Sequence, residues 1–295
     1  MEDKCHFVCS RGLLKSCDFH SQNPISSCGN DIGYLIEMLK STRMYDGMTI
    51  YVCSDLLRLF VKYVLPKITH KFVLVSGDSD MTVPYEAMSE SDATLLFANA
   101  FMIRWCAQNT IHPQIQQLPI GLDYHTIANH PNHYWRQSGE PFLPLDQEKI
   151  LFQIRNDDTP MRDDKILANF TLGNDRFGQR AAALSNINRQ LLNIRQEILP
   201  RTELWKLMRR HTFILSPFGM GMDCHRTWEA LCLGCIPIVM TNSLSRVFDD
   251  LPILVVDDWR QITEQLLVDT LTKFKTCTFE PDKLKMSYWF EKIRM

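Results

Sequence analysis

The segment Thr212-Phe-Ile-Leu-Ser-Pro-Phe-Gly-Met-Gly-Met-Asp-Cys-His-Arg-Thr-Trp-Glu-Ala-Leu-Cys-Leu-Gly-Cys-Ile-Pro-Ile-Val239 divides into four parts with different physical signatures. An apolar run ends at Ser216 and reads as a buried strand, and a loop turns at Gly219 and Gly221. A helix is expected to start with Asp223 as its cap and to stop at Leu233-Gly234, before a second strand from Ile236. Glycines let a backbone approach a ligand closely, and the unpaired N–H groups of a helix start attract anions. Arg226 falls in the first helical turn, where a guanidinium can grip a diphosphate with two parallel hydrogen bonds. Glu229 lies three residues on and shares that face, placed to accept both ribose hydroxyls of a nucleotide. The plainer alternative is a glycine turn followed by a surface ion pair, since the third glycine of a dinucleotide fingerprint is missing.

Outward from this segment, short apolar runs alternate with helical patterns along the whole chain. Residues 5–9, 48–53, 71–76, 94–98 and 115–120 read as strands of a first Rossmann-like half, with a helical pattern from Asp55. The polar, proline-bearing stretch from Asn129 to Pro144 is the expected linker. Strands are then expected at 149–154, 166–170, 212–216, 236–240 and 253–256, and helices at 178–193, 202–210, 224–233 and 261–274. The expected division is 1–140, 141–280, and a C-terminal helix over 281–295 that packs back on the first unit. The fold class is α/β, with a cleft between two units at the carboxyl ends of their strands.

Composition narrows the function classes. Hydrophobic residues make up 45% of the 295, enough apolar material for two cores. A net charge of −2 with no basic stripe argues against nucleic acid as a partner. No apolar run reaches the 18 or so residues of a membrane span and no signal peptide opens the chain, so a cytoplasmic protein without membrane insertion is expected. Its ten cysteines then read as free thiols, and Cys232-Leu-Gly-Cys235 as buried packing rather than a zinc half-site.

The same central segment resembles the C-terminal signature of exostosin-like glycosyltransferases, most of all the compact single-unit forms carried by large algal viruses. Residues 212–259 carry the resemblance, including Leu251-Pro-Ile-Leu-Val-Val-Asp-Asp-Trp259; Leu118-Pro-Ile-Gly-Leu-Asp-Tyr-His125 also looks familial. The resemblance implies a GT-B fold, two facing Rossmann-like domains with the nucleotide-sugar donor on the second. It also implies a UDP-sugar donor, with UDP-xylose and a fucose-containing acceptor as the first expectation, and the host cytoplasm as location if the protein is viral. Donor contacts are expected from Ser216, Gly219, Gly221, Asp223, Arg226 and Glu229, and from Arg180 at a helix start after the 166–170 strand.

Val75-Ser-Gly-Asp-Ser-Asp80 ends a strand of the other half, which puts Asp78 and Asp80 across the cleft from the donor motif. Three readings compete: a general base for the acceptor hydroxyl, with Asp78 ahead of Asp80; an Asp-x-Asp metal site; or aspartates that only cap a turn. Asn109, Asp123 and His125 stand beside expected strand ends as acceptor or sugar contacts. The overall expectation is an inverting transfer from a UDP-sugar to a glycan hydroxyl without metal or other cofactor. The alternatives are a retaining transferase with the same donor site and a catalytically silent nucleotide-sugar or glycan binder.

Overall fold

The computed structural model describes residues 1–21, 33–40, 44–157 and 162–295. Two all-parallel sheets are present, one in each half of the chain. The first runs in the order β1 (Met48–Cys53), β2 (Phe72–Gly77), β3 (Met102–Ala107) and β4 (Gln116–Gln117). Helices α1 (Ser10–Lys15), α2 (Gly33–Lys40), α3 (Leu57–Leu59), α4 (Glu90–Phe97) and α5 (His125–Asn129) accompany it. The second sheet contains β5 (Ile166–Asn169), β6 (Leu192–Arg195), β7 (Phe213–Leu215), β8 (Ile236–Met240) and β9 (Leu254–Val256), in the order β6-β5-β7-β8-β9. With it go α6 (Pro144–Asn156), α7 (Gln179–Asn186), α8 (Arg201–Arg209), α9 (His225–Cys232) and α10 (Glu264–Phe274), while α11 (Met286–Arg294) packs on α1 and β2 of the first half.

In the second sheet the chain steps from β5 outward to β6, then returns past β5 to β7. That reversal is a topological switch point, where open α/β sheets leave a crevice for a ligand. The carboxyl ends flanking it are Asn169-Phe170-Thr171 and Ser216 to Gly221, so topology puts the glycine loop at the crevice.

Every residue of β1 and β2 is buried, which is why both read as continuous apolar runs. Along β7 the alternation of a strand sends Ile214 into one apolar cluster and Phe213 and Leu215 into another. The larger cluster joins first-sheet residues to Leu151, Trp205, Trp228 and Trp289. The halves therefore share one apolar body, and the second half holds a further cluster of its own. The C-terminal helix adds Met286, Trp289 and Ile293 to it, and Met286 N donates to His6 O at 2.8 Å. No helix among the described residues is long and apolar enough to cross a membrane.

Several expected elements differ. Residues 94–98 belong to helix α4, capped by the Ser89 side chain, which accepts from Asp92 N at 3.1 Å. The expected strand at 149–154 is the body of α6, which proline opens at its first turn. Residues 5–9 make only isolated bridges, and 115–120 shrinks to two strand residues. Strands β3 and β6 were not anticipated; β6 occupies what reads as the end of the 178–193 helix, which stops at Asn186. Asp223 does not cap α9: Cys224 occupies that position in extended conformation.

Candidate functional site

A cleft of about 430 Å³ opens at the switch point, between the second sheet's loops and the loops that follow the first sheet. That volume lies in the range of sites for small organic ligands. Asp80, Asp123, Arg180, Gly219, Gly221, Asp223, Arg226 and Glu229 line it, joined by Phe170, Arg201 and His225. Asp78, Asn109, His125 and Ser216 do not.

The second-sheet wall is built around Phe170. The guanidinium of Arg226 lies 5.2 Å from the centre of its ring and that of Arg180 5.9 Å. Arg180 is buried and gives Nε to Phe218 O (3.3 Å) and Nη1 to Thr171 O (2.7 Å). Arg226 gives Nε to Asn169 O at 3.2 Å, while its Nη1 is buried without any hydrogen-bond partner. Neither guanidinium forms an ion pair among the described residues. Burial first, and the like charge of Arg180 in the same direction, weaken the hold of Arg226 on its proton. Two cations are thus held close together with no counter-ion, beside the N-terminus of α9, an arrangement that an anion relieves.

The glycines make this crowding possible. A Cβ on Gly219 would stand 2.5 Å from Arg180 Nη2, and one on Gly221 would stand 3.1 Å from Asn109 Nδ2 and 3.2 Å from Asp80 Oδ1. Side chains of this protein therefore occupy the space that the glycines leave, Arg180 on one side and the first-sheet loop on the other. Glu229 is buried, and its Oε1 accepts from Trp205 Nε1 at 3.1 Å. The second oxygen, Oε2, has no hydrogen-bond partner among the described residues. Trp205 carries no signal of this role in the sequence, because an indole in an amphipathic helix reads as core.

Ser216 and Asn109 serve the wall from behind, and Asp223 reaches from the cleft lining to the opposite half. Ser216 Oγ pairs with Thr227 Oγ1 at 2.8 Å, pinning β7 to α9 away from the cleft. Asn109 takes a left-handed turn (φ 51°), donates to Ser79 O at 3.1 Å and accepts from Asp223 N at 3.0 Å. Asp223 accepts from Ile120 N (2.8 Å), Cys224 N (2.8 Å) and Trp228 Nε1 (2.9 Å). Burial still pushes its carboxyl up to about 6. These bonds tie the donor loop to the opposite half, a job that only long-range contacts reveal.

The Asp78–Asp80 pair separates. Asp78 turns in the left-handed region (φ 54°), and its buried carboxylate lies 3.6 Å from Arg11 Nη2. Burial pushes that carboxyl up to about 6, with Arg11 and His225 acting against the shift. The two members of the pair stand differently: Asp80 lines the cleft, whereas Asp78 does not and faces Arg11 of α1. Arg176 bridges the halves through an ion pair with Glu86. Asp123 lines the cleft, held by Arg201 Nη2 at 3.1 Å and by Thr126 N at 2.9 Å. Burial opposes its ionisation, but His125, Arg201 and His225 outweigh it and hold the carboxyl well below the usual range. His125 sits behind, 3.2 Å from Asp123, and burial lowers its pKa to about 4.

His225 is the cleft residue that sequence reasoning passed over, although it adjoins Arg226. It is half-buried, lines the cleft, and places Nδ1 2.7 Å from Gly121 O. Among the described residues no group of three or more His, Cys, Asp or Glu side chains is disposed to hold a metal ion. Cys232 and Cys235 are free and buried, and Cys235 Sγ donates to Met208 O at 3.3 Å. No protein-family model matches the chain, and no curated protein matches it in sequence.

Proposed function

We propose that this chain is an inverting, metal-independent glycosyltransferase of GT-B type, taking a sugar from a UDP-sugar to a glycan hydroxyl. The observation that carries the reading is the pair Arg180 and Arg226, two desolvated guanidinia without carboxylate partners beside a helix N-terminus. A diphosphate supplies the missing negative charge, and its charge grows as the glycosidic bond to phosphate breaks. Preorganised cations facing that growing charge stabilise the transition state more than the ground state. Glu229, oriented by Trp205, is disposed to accept ribose hydroxyls through Oε2. Asp80 and Asp123 on the first-sheet wall face the same volume and suit an acceptor hydroxyl and the transferring sugar. The donor sugar to try first is xylose, with a fucose-containing acceptor.

Calorimetric titration with UDP and with UDP-xylose tests the donor site, and turnover in excess EDTA tests metal independence. Binding of UDP together with sugar transfer that survives chelation is the expected result. An absence of UDP binding overturns the donor site. Turnover abolished by EDTA and restored by manganese would revive the Asp-x-Asp metal reading.

A further inference from the structure

Of the two aspartates expected to act as base, Asp78 is outside the cleft and paired with Arg11, and Asp80 is exposed. No hydrogen bond among the described residues orients the Asp80 carboxylate. His225 differs on both counts. It is the first residue of α9, lines the cleft, and its ring meets the first-sheet half at Gly121 and His125. The Gly121 carbonyl oxygen, 2.7 Å from Nδ1, can only accept. Nδ1 therefore carries the proton, and in the neutral ring Nε2 holds a lone pair. No described residue hydrogen-bonds to Nε2. A backbone contact of this kind sets tautomer and ring orientation together, the two things a histidine base needs.

Charged groups of both signs surround that ring. Asp78 and Asp80 face it from the loop after β2, Asp123 from the segment before α5, and Asp223 from the turn before its own helix. Against them stand Arg226 beside it, Arg11 and Arg201 behind the aspartates, and His125, whose ring centre is 6.0 Å away.

We infer that His225, through Nε2, is the catalytic base of the transfer; the inference rests on the glycosyltransferase reading above. The acceptor O–H bond breaks and its proton moves to Nε2. The oxygen's electron pair forms the bond to the anomeric carbon. The bond from that carbon to the diphosphate oxygen breaks, and its pair leaves on the diphosphate toward Arg180 and Arg226. Asp80 and Asp123 offset the imidazolium charge until the proton is released to water.

The test uses His225→Asn, which keeps a donor for Gly121 O and removes the Nε2 acceptor, alongside His225→Ala, Asp80→Asn and the parent. Release of UDP from UDP-xylose is followed with L-fucose, and with water alone, as acceptor; UDP affinity is measured on the same preparations. His225→Asn should lose about 10²-fold or more in kcat while its Kd for UDP stays within about threefold of the parent's. Imidazole in the buffer should restore part of the turnover of His225→Ala, which a merely structural role would not allow. Histidine-labelled protein gives a readout that needs no acceptor: the ¹⁵N signals lost in His225→Asn should show the Nδ1–H tautomer in the parent. An Nε2–H tautomer overturns the inference. So does a kcat for His225→Asn within about threefold of the parent's while Asp80→Asn loses about a hundredfold, because the base is then the carboxylate. Failure of the parent to bind UDP overturns the glycosyltransferase reading itself, and is told apart by normal UDP binding in either other case.

Discussion

Replacing Arg226 by methionine keeps an apolar stem against Phe170 and removes the charge, so binding should weaken while stability hardly changes. In the unliganded protein the guanidinium makes one hydrogen bond, Nε to Asn169 O at 3.2 Å, while Nη1 is buried without a partner. Losing the bond costs about 1 kcal/mol, and the cation–π contact with Phe170 adds about 0.5–1. Removing a buried, unsatisfied donor returns about 1–3 kcal/mol, and replacing a buried ion by an apolar group is often neutral or stabilising. The unfolding free energy should therefore stay within about 1 kcal/mol of the parent's. Two charge-assisted bonds to a diphosphate at about 1.5–3 kcal/mol each would disappear, weakening UDP roughly 10²–10⁴-fold. Urea denaturation and calorimetric titration with UDP measure the two quantities. A variant that loses 3 kcal/mol or so of stability yet binds UDP like the parent would refute the argument, because Arg226 would then be a structural cation.

Gly219→Ala should weaken UDP several-fold, since its Cβ would stand 2.5 Å from Arg180 Nη2 and shift that guanidinium; unchanged titration curves would separate Arg180 from the anion site. Trp205→Phe removes the donor that orients Glu229, so it should lower UDP affinity about 3–10-fold and narrow the preference for UDP over 2′-deoxy-UDP. A preference left intact would remove Glu229 from the ribose. His125→Gln concerns pH. Burial keeps His125 neutral in the fold down to about pH 4, whereas its ordinary value is 6.5. Between those values the unfolded chain binds more protons, so the parent's stability relative to His125→Gln should fall as pH drops from 7.5 to 4.5, by up to about 3 kcal/mol. A difference in urea stability that stays constant over this range would show that His125 protonates in the fold as it does in the open chain.

Residues 212–239 were legible because their reading is local. An apolar run, two glycines, a helical spacing and a second apolar run settle strand β7, the loop, α9 and β8 without reference to the rest of the chain. Three residues of helix suffice to bring Arg226 and Glu229 to one face, and both line the cleft. The continuous runs of β1 and β2 announce strands buried on both sides. Short apolar stretches such as 94–98 and 149–154 carry no such decision, since five or six residues fit either period. There the Ser89 cap and Pro144 were the better signals. Beyond the local, the chain's partners decide. Which member of the Asp78–Asp80 pair meets the cleft depends on a left-handed turn and on Arg11 in α1, 67 positions before Asp78. Asn109 and Asp223 join the two halves through a 3.0 Å bond that no spacing rule anticipates. The orientation of His225 depends on one carbonyl oxygen of Gly121. Residue types and short spacings determined the strand, the glycine loop and the helix; only long-range packing decided which charges are desolvated beside that loop, because burial and unpaired charge belong to the folded chain as a whole.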